Sequence, residues 1–88
     1  MNAQQMLIQY AETKNDGTMS NEAWLGKAIQ GGIVFNRTPM SKTYCNIRRE
    51  GKTIIVTETT EEEKTNVVDG KVNFETTKTT TEILRVEI

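Results

Sequence analysis

The chain has 88 residues, of which 35% are hydrophobic, and a formal net charge of −1. This length fits one small domain, residues 1–88, with a thin core of the kind that a partner or a second copy often stabilises. The balanced charge argues against a strongly basic nucleic-acid binder, and no apolar run approaches the ~20 residues of a membrane span.

The charge is split along the chain. Residues 1–52 carry seven Lys/Arg and four Asp/Glu, and residues 53–88 carry four and eight, which gives +3 and −4. Such an asymmetry favours either head-to-tail contacts or a basic face for an acidic partner, beside the ordinary interpretation of scattered solvated charge.

The residues that usually carry catalysis are scarce. There is no histidine, and Cys45 is the only cysteine. Without histidine the commonest general base and the commonest metal ligand are missing, and no intramolecular disulfide can form. The sequence therefore predicts a non-enzymatic protein with no cofactor or metal site. It also predicts a cytoplasmic location, because no signal-peptide-like apolar run lies near the start.

Two helices are predicted in the first third, at about 2–13 and 20–30. Asn2 and Gln5 have the spacing of a capping box, and apolar residues then recur on one face. Ser20 is the predicted N-cap of the second helix, and Gly31-Gly32 is its predicted end.

The next segment has weaker signals. Ile33–Phe35 is either a short buried strand or an extended link, and residues 36–43, which contain Pro39, form a predicted polar loop. A strand is predicted at about 44–49. Glu50-Gly51 is its predicted turn into the next strand, which would pair Ile47 with Ile54 and Cys45 with Val56.

The strongest pattern is a long hairpin, with strands at about 52–68 and 71–88. Asp69-Gly70 between β-prone residues is typical of a type I′ turn, in which both central residues need positive φ. The resulting register places Val67 opposite Val72, Thr65 opposite Phe74 and Glu61 opposite Lys78. Continued to the base, it places Val56 opposite Ile83, Ile55 opposite Leu84 and Thr53 opposite Val86.

The predicted fold class is therefore α+β, with two short N-terminal helices followed by a three-stranded antiparallel meander that ends in a long β-hairpin. Period-2 alternation puts Leu84 and Val86 on the face of Ile55. The other face carries Ile54, Val56 and Ile83, so both faces at the base are apolar and need a cover. The helices can cover one face. The other face must be covered by Ile33–Phe35 or by a neighbouring subunit.

The hairpin predicts an interaction site at its tip. A sixteen-residue strand reaches roughly 50 Å, further than a small domain is wide. Its middle is polar on both faces, and its tip is apolar again at Val67, Val68, Val72 and Phe74. Val67, Val72 and Phe74 share one face of the tip and are the candidate interaction site. A polar shaft with an apolar tip suggests an arm that docks elsewhere. The alternative is a bent or bulged arm that folds over its own domain.

A group of basic residues is the second candidate surface, for an anion or a nucleic acid, and Tyr44 is available for stacking. Its members are Arg37, Lys42, Arg48, Arg49 and Lys52.

Three functions remain open. The first is a homo-oligomeric assembly module that acts through the hairpin. The second is a small phage-type inhibitor or regulator that binds and blocks a larger host protein. The third, ranked below both, is a nucleic-acid or nucleotide binder that uses the basic residues. The expected partners are the protein itself or a larger protein, with no membrane.

Overall fold

Two helices pack on one face of a four-stranded antiparallel sheet in the computed structural model, which describes residues 2–88. The elements are α1 (Ala3–Lys14), α2 (Asn21–Gln30), β1 (Ile33–Thr38), β2 (Ser41–Glu50), β3 (Thr53–Val68) and β4 (Lys71–Glu87). The strands lie in the order β1-β2-β3-β4, so each pairs with its neighbour in sequence. The α+β class is confirmed. Met1 of the predicted domain 1–88 lies outside the described residues.

Both helices begin at the predicted caps. The Asn2 side chain accepts a hydrogen bond from the Gln5 backbone N–H at 2.8 Å, and the Gln5 side chain accepts one from the Asn2 N–H at 3.1 Å. Ser20 caps α2 by accepting from the Ala23 N–H at 3.2 Å, and Gly31 is its C-cap. These side chains satisfy backbone donors that a helix start leaves without partners.

The core lies between the helices and the middle of the sheet. Tyr10 and Trp24 meet edge to face with ring centroids 5.9 Å apart, which joins α1 to α2. The buried core cluster consists of Tyr10, Ala11, Trp24, Ala28, Cys45, Ile47 and Val56. Leu84 packs against it from β4. This small core holds only the base of the hairpin.

The prediction of three strands is wrong, because Ile33–Thr38 forms a fourth. It pairs with β2 through a turn of only two residues, Pro39 and Met40, so the predicted loop 36–43 is mostly strand. Strand β2 accordingly begins at Ser41 instead of residue 44. Pro39 is tolerated because it lies in the turn, where no ladder hydrogen bond is required of it.

The turn between β2 and β3 is displaced from its predicted position. Glu50 pairs with Thr53, so the central turn residues are Gly51 and Lys52, with φ of 59° at Gly51. A type II′ turn needs positive φ at its first central position, which favours glycine there. The predicted partners are therefore wrong: Ile47 pairs with Val56, and Cys45 pairs with Glu58.

The hairpin register is correct from the tip to Thr57 and wrong at the base. Val56 pairs with Leu84 but Thr57 pairs with Glu82, so Ile83 is an extra residue in a β-bulge. A bulge of one residue reverses which face the following side chains occupy. Leu84 consequently packs with the helix-facing core instead of lying beside Ile55.

The sheet face opposite the helices has a different cover from the one predicted. Strand β1 extends the sheet at its edge, beside β2, and does not lie across this face. Ile55 is nevertheless fully buried, with Arg48 and Arg85 as its cross-strand neighbours. The aliphatic stems of long basic side chains can shield apolar surface in this way.

Candidate functional site

The distal part of the hairpin projects from the sheet as a two-stranded arm. The strand pairing between β2 and β3 ends at Ser41 with Glu62, and the Glu63 N–H still donates to the Met40 carbonyl at 2.8 Å. Residues 64–68 therefore pair only with β4. The molecule measures 56 × 30 × 19 Å, and its long dimension reflects this extended hairpin. The prediction of a long hairpin is borne out, and the arm does not fold back over the helices.

The tip of the arm carries a cluster of exposed apolar side chains. Val67 pairs with Val72 and Thr65 pairs with Phe74, so period-2 alternation places Val67, Val72 and Phe74 on one face. The exposed fractions of these three side chains are 69%, 55% and 74%. We call these three residues the tip cluster.

Val68 extends the apolar surface to the other face of the arm. It is 56% exposed and adjoins Val67, so its side chain points to the opposite side of the strand. The predicted site contains only the three residues that share one face, so it does not include Val68, although Val68 belongs to the same apolar tip.

The shaft between the tip and the core is held by polar cross-strand pairs. Thr43 and Thr60 hydroxyls lie 3.1 Å apart, and Thr59 and Thr80 hydroxyls lie 3.0 Å apart. On the helix-free face, Glu61 anchors β3 to β2. Threonine and opposite-charge pairs of this kind stabilise neighbouring strands without an apolar core.

Glu61 has two partners on β2. Tyr44 donates a hydrogen bond to Glu61 Oε1 at 3.1 Å, and Lys42 Nζ lies 3.3 Å from Glu61 Oε2. The hydrogen bond from Tyr44, followed by the one from Lys42, lowers the pKa of Glu61. Glu61 therefore stays ionised at neutral pH and keeps both contacts.

The turn at the tip has the geometry that the sequence predicts. Asp69 has φ of 52° and Gly70 has φ of 76°, as a type I′ turn requires. Because a β-branched residue rarely adopts positive φ, we expect Gly70→Val to disrupt or shift the pairing at the tip and leave the helices folded. Amide chemical shifts check this: unchanged shifts at Val67, Val72 and Phe74 in the variant would contradict the turn assignment.

The candidate basic residues do not converge on one place. Arg37 lies opposite Lys42 on neighbouring strands, whereas Arg48 is six residues further along β2, roughly 20 Å away. Arg49 follows Arg48 and faces the other side of the sheet, and Lys52 lies in the turn.

Several of these basic groups also have local partners. Lys42 is paired with Glu61, Arg48 Nε lies 3.3 Å from Glu50 Oε1, and Arg49 Nε donates to the Gly51 carbonyl at 2.7 Å. Local carboxylates reduce the positive potential that attracts phosphates.

We therefore expect little binding of random DNA or RNA at physiological salt. Phosphate contacts release counterions, so any real binding should weaken steeply as salt is raised. Titration of labelled oligonucleotides at two salt concentrations measures this. Micromolar binding that is lost in an Arg48→Ala/Arg49→Ala variant would promote the basic residues to the main site.

A second group of polar side chains lies beside the core, between α1 and the sheet. Tyr10 Oη donates to Glu58 Oε2 at 3.2 Å, Lys14 Nζ is 3.7 Å from Glu58 Oε1, and Cys45 is fully buried opposite Glu58. Burial is the main cause that raises the pKa of both the Cys45 thiol and the Tyr10 hydroxyl. A buried thiol that stays protonated is a poor nucleophile. The contacts of Tyr10 and Lys14 with Glu58 instead join α1 to β3.

Within residues 2–88, no group of three or more metal-ligating side chains comes together. In that same part of the chain, neither helix has the length and apolar character needed to cross a membrane. Comparison with protein-family models, curated proteins and solved structures finds no match to this chain.

Proposed function

We propose that this protein is a non-enzymatic assembly module that forms homo-oligomers through its extended Thr/Glu-rich β-hairpin. The observation that carries the proposal is the tip cluster: three large apolar side chains, each more than half exposed, at the end of an arm. Exposed apolar patches of this kind on soluble proteins mark interaction sites.

The energetics of the arm support the proposal. A two-stranded ribbon is only marginally stable in water on its own, and residues 64–68 have no third strand beside them. A second copy that covers the tip would remove apolar surface from water and hold the distal strands together. The small core at the other end of the hairpin makes such added stabilisation useful.

A small inhibitor or regulator of a larger protein is the second candidate. The observation that favours it is the free outer edge of β4, a strand of 17 residues that ends the sheet. A partner can add a strand to such an edge through backbone hydrogen bonds. The proposal includes a cytoplasmic location, supported by a single free cysteine, because small extracellular domains commonly carry disulfides.

Solution mass over a dilution series separates the two functions. The assembly proposal predicts a mass above the 10.0 kDa of one chain that falls on dilution. A mass of 10.0 kDa at every concentration would overturn the assembly proposal and favour a different partner.

A further inference from the structure

The outer edge of β4 is open along the arm, because β4 is the last strand of the sheet in residues 2–88. Along a strand, successive residues direct their backbone groups to alternate sides. The Glu63 N–H donates to the Met40 carbonyl, on the β2 side, so residues 64, 66 and 68 bond to β4. Their partners on β4 are Glu75, Asn73 and Lys71. The backbone groups of Val72 and Phe74 are therefore directed to the open edge.

At the tip end of this edge, apolar and charged side chains lie on separate faces. Val72 and Phe74 lie on the face of the tip cluster, and Lys71, Asn73 and Glu75 lie on the other face. All five residues are exposed. Neither Lys71 nor Glu75 takes part in the ion pairs formed within residues 2–88. We call residues 71–75 the edge segment.

We propose that two copies of this chain join through their edge segments, which pair antiparallel about a two-fold axis at Asn73. The inference rests on the proposed function and names its partner surface, which is the β4 edge of a second copy. Each edge segment adds a strand to the sheet of the other copy, and the outward backbone groups of Val72 and Phe74 form the new ladder. The strands then run in the order β3-β4-β4-β3 across the two arms.

In this register the edge segment is complementary to itself. Val72 of each copy lies opposite Phe74 of the other copy. Lys71 of each copy lies opposite Glu75 of the other copy, and the two Asn73 residues face each other. Directly opposed residues share a face with Cβ atoms ~4.5–5.5 Å apart, so the apolar pairs and the opposite-charge pairs both stabilise the contact.

The β3 strands extend both patterns across the dimer. On one face, Val67 lies opposite Val72, so the tip clusters of the two copies become one continuous apolar patch. On the other face, Glu75 lies between Lys64 of its own chain and Lys71 of the second copy. The pairing therefore gives the tip cluster an apolar neighbour and gives Lys71 a carboxylate partner that it lacks within its own chain.

Neighbouring registers of the same edge lack this match. Centred one residue nearer the turn, the pairing would place Asp69 opposite Glu75, and centred on Glu75 it would place the two Glu75 carboxylates opposite each other. Like charges in directly opposed positions destabilise a strand pair. Centred on Phe74, it would place Lys71 opposite Thr77, and the charge pair would be lost. Complementary charge therefore selects the register at Asn73.

The pairing is isologous and closed. Fourteen residues of β4 separate Asn73 from Glu87 at the base, roughly 48 Å, so the helices of the two copies lie at opposite ends of the dimer and do not collide. Only five residues overlap on each side, whereas a standard interface uses ~20–30. We therefore expect a weak, concentration-dependent dimer of twice 10.0 kDa that does not grow further.

Cross-linking tests the position of the axis. Asn73→Cys would place two thiols in a non-hydrogen-bonded pair with Cα atoms ~4.5 Å apart, within the ~4.4–6.8 Å of disulfides. Asn66→Cys is the matched control, because Asn66 pairs with Asn73 on the same face but lies three strand spacings, ~14 Å, from its own counterpart. Under a mild oxidant, Asn73→Cys should form covalent dimers about tenfold faster or more. Cys45 does not compete, because it is fully buried. Equal rates would overturn the register.

A charge exchange tests the side-chain pairs. Lys71→Glu would oppose carboxylates at two symmetric positions and should weaken the dimer about 2–30-fold, the range for two exposed ion pairs. Lys64→Glu/Glu75→Lys reverses the charge of residue 75, keeps its pair with β3, and should weaken the dimer similarly. An equimolar mixture of the two variants should recover the affinity of the wild type, because opposite charges then meet at both positions. Lys52→Glu, in the turn between β2 and β3, makes the same charge change and should have no effect.

Sedimentation equilibrium over a dilution series measures these affinities and separates the two proposals. If the wild type is a 10.0 kDa monomer at every concentration, the proposed function and the edge pairing both fail. If the wild type assembles but the mixture is no tighter than either variant alone, the edge pairing is wrong while the proposed function stands. The same conclusion follows if the wild type assembles and Asn73→Cys cross-links no faster than Asn66→Cys.

Discussion

Trp24→Ala should lower the free energy of unfolding by about 3–5 kcal/mol, the usual loss when a buried tryptophan is truncated. Trp24 is only 3% exposed and packs edge to face against Tyr10. A domain of this size has a total stability of about 4–13 kcal/mol, at ~0.05–0.15 kcal/mol per residue. The substitution therefore removes a large part of the stability, because Trp24 and Tyr10 hold both helices together.

Urea denaturation followed by circular dichroism measures this change, and the reaction of Cys45 with a thiol reagent provides a second readout. Because Cys45 is fully buried, it should react only when the protein opens, and much faster in the Trp24→Ala variant. Ile29→Ala is the matched control: Ile29 is on the same helix, is 61% exposed, and should change stability by less than about 0.5 kcal/mol. Equal effects of the two substitutions would contradict the core assignment.

Phe74→Asp should abolish assembly and leave the fold intact. A carboxylate is costly to bury in an apolar contact, so a subunit interface that covers residue 74 would be lost. The base of the sheet should not be affected, because Phe74 is 74% exposed and lies outside the core cluster. Light scattering should therefore give 10.0 kDa, with unchanged helical circular dichroism and unchanged fluorescence of Trp24, the single tryptophan.

Asn66→Asp is the control for charge. It adds the same negative charge to the arm, on β3 and on the face opposite to Phe74, and should retain the assembly. Global unfolding of Phe74→Asp would show that the tip belongs to the protomer's own core. An unchanged mass together with an unchanged fold would show that Phe74 does not take part in assembly.

The features that the sequence predicted well are those with strong local chemistry. The Asn2 and Ser20 caps act through hydrogen bonds to nearby backbone groups, and Asp69-Gly70 is one of few pairs that favour a type I′ turn. With that turn fixed, the register of the tip follows residue by residue. For this reason the sequence alone predicts which apolar residues share one face of the tip.

The features that were missed depend on tertiary packing. Ile54-Ile55-Val56 and Ile83-Leu84 are consecutive apolar residues, so alternation does not show which of them face the helices. The bulge at Ile83 resolves this by placing Leu84 against the core, and no local signal marks it. The sequence predicts a loop around Pro39, but a two-residue turn accommodates proline equally well and leaves Ile33–Thr38 free to pair with β2.

The central claim, that another copy covers the tip, is tested most directly by fluorine NMR of the protein labelled with fluorophenylalanine. The chain has two phenylalanines, Phe74 at the tip and Phe35, which packs against the core. The account predicts that the Phe74 signal shifts or broadens as concentration rises and becomes protected from a soluble paramagnetic agent, while the Phe35 signal stays constant. A Phe74 signal that remains unshifted and fully accessible at every concentration would contradict it.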